Sequence, residues 1–436
     1  MSSVAALRER LSEFWIAEVS NSGVHSVAFQ PFLEKQIEDR ITVEEWDICE
    51  QHWIFLAVCD GHGGARTSDY TSKELPKRIS AALSATVRDD LQSKLERGNV
   101  DKVAPTISAM LAREIEALDA ELGEQVKAIC PDPGALPEEA ARAIIQENFD
   151  PLVLAWTGTT LAAALINITL KCVWAFGVGD SSVVLSTVDA DGVRHAQRLC
   201  ALHSMSDPAE CARIVSEHPP EEAAHVVENG RILGWLALPR GTPLPPSTRL
   251  RHRLTHAAVG IGDFSLKLPS TYMSHLLRFL PTTGKMPLDG IPERIKTPPY
   301  LIATPSVQFM DLEPVWNSAP TVALFSDGVD LLVDGYTLFH PGVSSNADPC
   351  DVVSKLLQEK VDPSLRKVLG HGVDAHWSGP EGNRALDVLG NLIGGTNVNR
   401  LEMMLDQERM ANRKAKYPFY VDDVAIVVFP LQPVSR

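Results

Sequence analysis

Five apolar stretches of strand length recur along the chain, and each meets carboxylates or glycines at an end. They read WIFLAVCD from Trp53, TTLAAALINITL from Thr159, CVWAFGVGDS from Cys172, TVALFSDG from Thr321 and DVAIVVF from Asp423. Continuous apolar runs bounded by turn residues fit strands buried on both faces. Strands of that kind belong in the middle of a sheet or a sandwich, so the chain must supply a cover for each face.

Helical periodicity lies between the strands. In ISAMLAREIEALDAELGEQVKAI, Leu111, Ile115, Leu118, Leu122, Val126 and Ile129 fall on one stripe and most charges fall on the other face. That stripe predicts packing against the sheet rather than a partner-binding surface. Lys73–Glu96, Asp351–Leu369 and Val398–Lys414 also read as helices. Helices inserted among strands, without regular strand-helix alternation, predict an α+β class rather than a parallel βαβ fold. Residues 131–150 and the proline-rich 237–300 read as long connections. No repeat or flexible linker forces a cut, so 1–436 is expected to be one domain with insertions around 100–150 and 237–300.

Charge narrows the function. A formal net charge of −16 argues against general nucleic-acid binding, which needs a basic footprint. Seven scattered cysteines without a C-x-x-C pair indicate neither a disulfide framework nor a zinc knuckle, and favour a reducing, intracellular setting. No uncharged apolar run approaches the roughly 18 to 20 residues that span a bilayer. The first twenty residues lack a secretory apolar core, and Glu9, Glu13 and Glu18 sit poorly in an acid-poor mitochondrial presequence.

The strand ends carry the chemistry. Asp60-Gly61 follows one strand, Asp180 another and Asp327-Gly328 a third, while Asp422-Asp423 precede a fourth. Each aspartate alone reads as an ordinary turn residue. If the strands are sheet neighbours, Asp60, Asp327 and Asp422 converge, and like charges that close call for a proton or a cation. An all-oxygen set suits Mg²⁺ or Mn²⁺, whereas zinc would want His and Cys. His62 stands two residues from Asp60, placed to give a proton to a leaving group. The other histidines have no such context and read as surface or packing residues.

These motifs, in this order, resemble the metal-dependent protein serine/threonine phosphatases of the PPM type, the protein phosphatase 2C family. QIEDR (36–40) looks like the family's acidic first motif, VCDGHGG its second and WTGTTLAAALI its S-G-T-T segment. VWAFGVGDSSVVL, VALFSDGVDLLV and VDDVAIVVF look like its later aspartate motifs. LHSMSDPAECARIVSEHP, TPPYLIATPSV and NRALDVLGNLIGG are similar to segments of the pyruvate dehydrogenase phosphatase-like branch.

The resemblance implies an antiparallel β-sandwich flanked by helices, with two Mg²⁺ or Mn²⁺ ions in a cleft at one end. Asp60 would bridge both ions, the Gly61 carbonyl would bind one, Asp327 and Asp422 the other, and Glu38 would hold metal-bound water. His62 would be the general acid. Asp39, Asp180, Asp263 and Asp423 are the supporting or structural carboxylates. The implied activity is hydrolysis of phosphoserine and phosphothreonine in proteins, in the cytoplasm or, as the branch suggests, the mitochondrial matrix.

Four positions depart from the family pattern. Ala155 stands where many members carry an aspartate for a third metal. Ser182 replaces the arginine of G-D-S-R. AVGIGD keeps Gly262 and Asp263 but lacks the arginine of S-R-A-F-G-D, and the phosphate-binding arginine ahead of QIEDR has only Lys35 as a candidate substitute. A lysine replaces the charge of a guanidinium but not its two-pronged grip. The alternative implied by these losses is a weakly active or inactive phosphatase-like protein that binds phosphoproteins or regulates a partner.

Overall fold

The computed structural model describes residues 3–88, 95, 99–204, 207–228, 231–234, 259–281, 290–335, 338–339, 343–380, 382–412 and 419–432. Its strands, in chain order, are β1 Trp15–Val19, β2 His25–Phe29, β3 Arg40–Ile48, β4 Gln51–Cys59, β5 Gly61–His62, β6 Gly158–Thr159, β7 Leu161–Asn167 and β8 Cys172–Val178. There follow β9 Ser182–Val188, β10 Arg194–Arg198, β11 Val227–Glu228, β12 Arg231–Ile232, β13 Ile261–Gly262, β14 Ser306–Asp311, β15 Thr321–Phe325 and β16 Val424–Pro430. One sheet runs β14-β8-β7-β4-β3 and the other β1-β2-β16-β15-β9-β10. Every strand pair within these two sheets is antiparallel.

The period of two along a strand explains the continuous apolar runs. In β4, Ile54, Leu56 and Val58 point between the sheets, where they share a core with Ala162, Ala164, Val322, Leu324, Ala425 and Val427. The intervening Trp53, Phe55 and Ala57 face the other way, into a core with Leu75, Ile79, Leu111, Ile115 and Leu118. Those last five come from α2 (Arg66–Thr86) and α3 (Val100–Ile129), which cover that sheet. The outer face of the other sheet, through Phe325, Ile426 and Val428, packs against Leu7 and Leu11 of α1 (Val4–Leu11) and against the helices Pro349–Leu356 and Arg384–Ile393. The result is a helix-sheet-sheet-helix sandwich, α+β as the run pattern predicts. Each fully buried Leu, Val or Phe in it contributes about 1.5–3 kcal/mol of transfer free energy.

Three expectations need correction. Asp351–Leu369 is two helices, Pro349–Leu356 and Pro363–Leu369, because Pro363 cannot continue a helix and Asp362 caps the new one through the Ser364 amide. Val398–Lys414 also breaks, into Val398–Met404 and Gln407–Ala411, with Asp406 accepting the Arg409 amide as the second cap. Its last two residues, 413 and 414, lie outside the described residues. The predicted 73–96 helix is α2, which begins earlier, at Arg66, and ends at Thr86; of its predicted end, 89–94 and 96 lie outside the described residues. Residues 131–150 are not a bare connection: they hold α4 (Glu138–Glu147) and the start of α5 (Phe149–Trp156). Much of the 237–300 connection lies outside the described residues, but 259–281 carries β13 and the helices Phe264–Lys267 and Ser270–His275. Among the described residues no helix is long and apolar enough to cross a membrane, and all seven cysteines are free thiols.

Candidate functional site

Register decides which strand ends meet. Arg40 lies opposite Cys59, so Glu38 and Asp39 precede β3 where Asp60 follows β4. In the facing sheet Phe325 lies opposite both Ser182 and Ile426, which brings Asp180, Asp327, Asp422 and Asp423 to one edge. The two edges are joined directly: the Glu38 amide donates to Asp423 Oδ2 at 2.8 Å. The Asp423 amide in turn donates to Asp422 Oδ1 at 3.0 Å. All of the predicted strand-end carboxylates therefore share one end of the sandwich.

Their charges act on one another. Burial first, then Asp39, Asp327, Asp422 and Asp180, hold the Asp60 carboxyl well above the usual carboxylate range. Burial and Asp423, with smaller contributions from Asp422 and Asp327, do the same to Asp39 against an opposing hydrogen bond from Ser326. Asp39 is 3% exposed, and its Oδ2 is buried without a hydrogen-bond donor among the described residues. Cys59, at the end of β4, is no alternative nucleophile: burial and the Asp39 charge push its thiol up to about 12.

Such a cluster, all oxygen and short of positive charge, fits a hard divalent cation. Among the described residues no three His, Cys, Asp or Glu groups form a ready-made cage around one point. The carboxylates share an end of the sandwich rather than a single focus.

Gly61 and His62 form β5, which pairs with β6; β13 pairs with the other side of β6. This three-stranded patch lies against the carboxylate end. The Asp60 carbonyl accepts from the Thr160 amide at 2.9 Å and from Thr159 Oγ1 at 3.0 Å, fixing the turn out of β4. A methyl on Gly61 would strike the Glu38 carbonyl and the Ser68 hydroxyl, so close approach of the chain before β3 requires glycine there.

His62 Nε2 lies 2.7 Å from Asp263 Oδ2, with side-chain exposures of only 13% and 6%. Burial drives the ring toward its neutral form. The Asp263 carboxylate, and behind it Glu38 and Asp327, outweigh burial and hold the imidazole above its usual value. Gly158 lies beneath the pair, where a methyl would strike both His62 Nε2 and Asp263 Oδ2.

The remaining predicted residues separate. Lys35 is half-buried, its ammonium 5.8 Å over the Phe32 ring. Ala155 is fully buried in α5. Ser182 is buried too, and Arg198 of the neighbouring strand donates to its hydroxyl, so a guanidinium reaches that position from β10.

Two residues escaped the sequence reading. Asp119 of α3 and Lys267 form an ion pair at 2.7 Å, with side chains 11% and 6% exposed. The available signal was a carboxylate at position 119 beside Leu118 and Leu122 on the buried side of an amphipathic helix.

Residues 35–370 match the family profile described as Protein phosphatase 2C, well over half of the chain. The chain belongs to the protein phosphatase 2C family. It is 24% identical over 64% of its length to the mitochondrial [pyruvate dehydrogenase [acetyl-transferring]]-phosphatase 1 of Saccharomyces cerevisiae, covering 43% of that protein. It is also 24% identical over 71% of its length to the protein phosphatase 2C homolog C10F6.17c of Schizosaccharomyces pombe, covering 61% of it. The chain thus spans less than two thirds of either relative. A solved serine-threonine phosphatase 2C from Toxoplasma gondii is 13% identical, aligned over 95% of this chain and 98% of its own, with a TM-score of 0.48.

Proposed function

We propose that this chain hydrolyses phosphoserine and phosphothreonine esters in proteins with the help of two Mg²⁺ or Mn²⁺ ions. The observation that carries the reading is the gathering of mutually repelling carboxylates at one end of the sandwich, beside the buried His62–Asp263 pair. Asp60 and the Gly61 carbonyl would hold one ion, Asp327 and Asp422 with Asp60 the other, and Glu38 an associated water. Ions bound there would activate a water for in-line attack on phosphorus and neutralise the phosphate.

The chain's own contribution begins with Asp263. With Nε2–H directed to the Asp263 carboxylate, the other ring nitrogen of protonated His62, Nδ1, is left to face the ester. As the P–O bond breaks, the Nδ1 proton passes to the leaving serine or threonine oxygen and the ring is left neutral. Such a donor contributes typically about 10²- to 10⁴-fold to the rate. Asp39, Asp180 and Asp423 fix the surrounding backbone and charge, and Lys35 is the candidate phosphate contact.

The name of the Saccharomyces cerevisiae relative gives a phosphorylated pyruvate dehydrogenase and the mitochondrion as the first substrate and compartment to test. The deciding assay follows phosphate release from a phosphothreonine peptide with and without Mn²⁺. Turnover should require the metal and fall at least 100-fold in Asp60→Asn. Metal-independent turnover, or none above that variant, would overturn the proposal.

A further inference from the structure

We infer that Asp119 and Lys267 are positioning residues for the proton donor: their ion pair holds the strained turn that aims Asp263 at His62. The inference rests on the proton-donor reading above and adds to it the element, α3, that sets the donor's geometry.

The turn is costly in itself. Gly262 has φ +89° and Asp263, a residue with a Cβ, has φ +55°, so two successive residues sit in the left-handed region. A non-glycine residue there persists only when its surroundings over-determine it. Inside the turn, the Asp263 amide reaches the Thr157 carbonyl at 3.2 Å, and β13 contributes only two residues of ladder. The Asp263 carbonyl accepts the Leu266 amide at 2.9 Å; a further grip on the backbone just before Asp263 comes from outside the turn.

Lys267 Nζ donates to Asp119 Oδ1 at 2.7 Å, to Asp119 Oδ2 at 2.8 Å and to the Gly260 carbonyl at 2.7 Å. All three of its protons are thereby used. Asp119 Oδ1 also accepts the Gly262 amide at 2.8 Å. The pair therefore holds the turn by a carbonyl on one side and an amide on the other, immediately before Asp263.

A buried ion pair is no default stabiliser, because desolvation offsets much of its attraction. Here its hydrogen bonds go to the backbone that carries the histidine's partner. The helix is seated for the purpose. Gly123, one turn beyond Asp119 on α3, lies where a methyl would strike the Phe264 ring, and Lys267 Nζ lies 5.1 Å over that same ring. Asp119 and Lys267 touch no reacting group; they act through Asp263 and then His62.

The leaving group provides the test. Nitrophenolate is weakly basic and departs with little help from a proton, whereas a threonine alkoxide needs one. In the full chain with Mn²⁺, Lys267→Met and Asp119→Asn should lower kcat on a phosphothreonine peptide by about 10- to 100-fold, the scale of a small misplacement. They should lose far less on p-nitrophenyl phosphate. Combining either with Asp263→Asn should add little to the loss of Asp263→Asn alone, since all act on one proton. Equal losses on both substrates, or losses that multiply, would overturn the inference.

If the single variants fail to fold, the neutral pair Asp119→Leu with Lys267→Met restores an apolar contact and should keep the leaving-group defect. A wild-type substrate preference in that double variant would also overturn it. Should the native chain turn over neither substrate, the activity proposal falls and the geometry is read by proton NMR. The downfield Nε2–H resonance of His62, assigned by its loss in His62→Gln, should vanish in Lys267→Met, and its persistence there would refute the positioning role.

Discussion

Asp60 shows what a residue gains from its neighbours. In sequence it is one aspartate after a strand; in the structure its carboxyl is held high by burial and by four other aspartates. Repulsion of that kind is a cost to the metal-free fold. Asp60→Asn should therefore raise the melting temperature in EDTA, and the gain should shrink or reverse when Mn²⁺ stabilises the native protein by binding. Differential scanning fluorimetry with and without metal checks both halves. Asp60, Asp327 and Asp422 were legible because each sits at the end of an apolar run, whereas Glu38 entered only through the resemblance of QIEDR to the family's first motif. Asp263 was legible only as a supporting carboxylate, since its contact with His62 spans 201 positions of chain. Asp119 left only the trace of a carboxylate beside Leu118 and Leu122, and Lys267 left none, because a charge on a helix reads as surface until its partner is known.

Elements show how strands and helices satisfy one another. Pro76 lies inside α2 and has no amide for the carbonyl of Ser72, four residues back. Thr42 of β3 supplies the missing donor, its Oγ1 2.9 Å from that carbonyl. Thr42→Val keeps the shape and removes the donor, so it should cost about 1–3 kcal/mol in a denaturant melt. Converting Pro76 to Ala in that background should recover part of the loss.

A second interaction between elements makes stability depend on pH. His25 of β2 accepts the Arg384 amide at Nδ1, 3.2 Å away, and burial, then Arg384, lower its pKa below 6.5. A lowered histidine contributes stability that is fully present above its unfolded value and is lost as pH falls through the folded one. Urea midpoints should accordingly fall as pH drops below about 6.5, the ordinary histidine value. The fall should be shallower in His25→Gln, which cannot take up a proton. An unchanged slope would exclude His25 as a contributor.

At the scale of the molecule, chain order and sheet order disagree. The two central strands of the six-stranded sheet, β16 and β15, come from the last third of the sequence, whereas their neighbours β2 and β9 come from the first half. Neither half can close its own core. A chain ending at residue 234 lacks the Val322, Leu324, Ala425 and Val427 side of the inter-sheet core. It should show no cooperative melt by circular dichroism, and a folded, melting fragment would contradict the single-domain expectation.

The sequence by itself determined the strands that bury both faces, the α+β class, the all-oxygen character of the strand ends and the resemblance to protein phosphatase 2C. Those properties follow from local periodicity and residue chemistry, which need no partner to be read. Helix breaks at Asp362-Pro363 and Asp406 were in the text as well, but a long apolar stripe hides a cap. Tertiary structure alone decided which strand ends meet, that His62 rests on Asp263, and that a buried lysine and aspartate hold the turn between them. The bond that joins the two edges, Glu38 to Asp423, spans 385 positions, His62 to Asp263 201 and Asp119 to Lys267 148, all through register and packing, and nothing local in a chain specifies a distance across a sandwich.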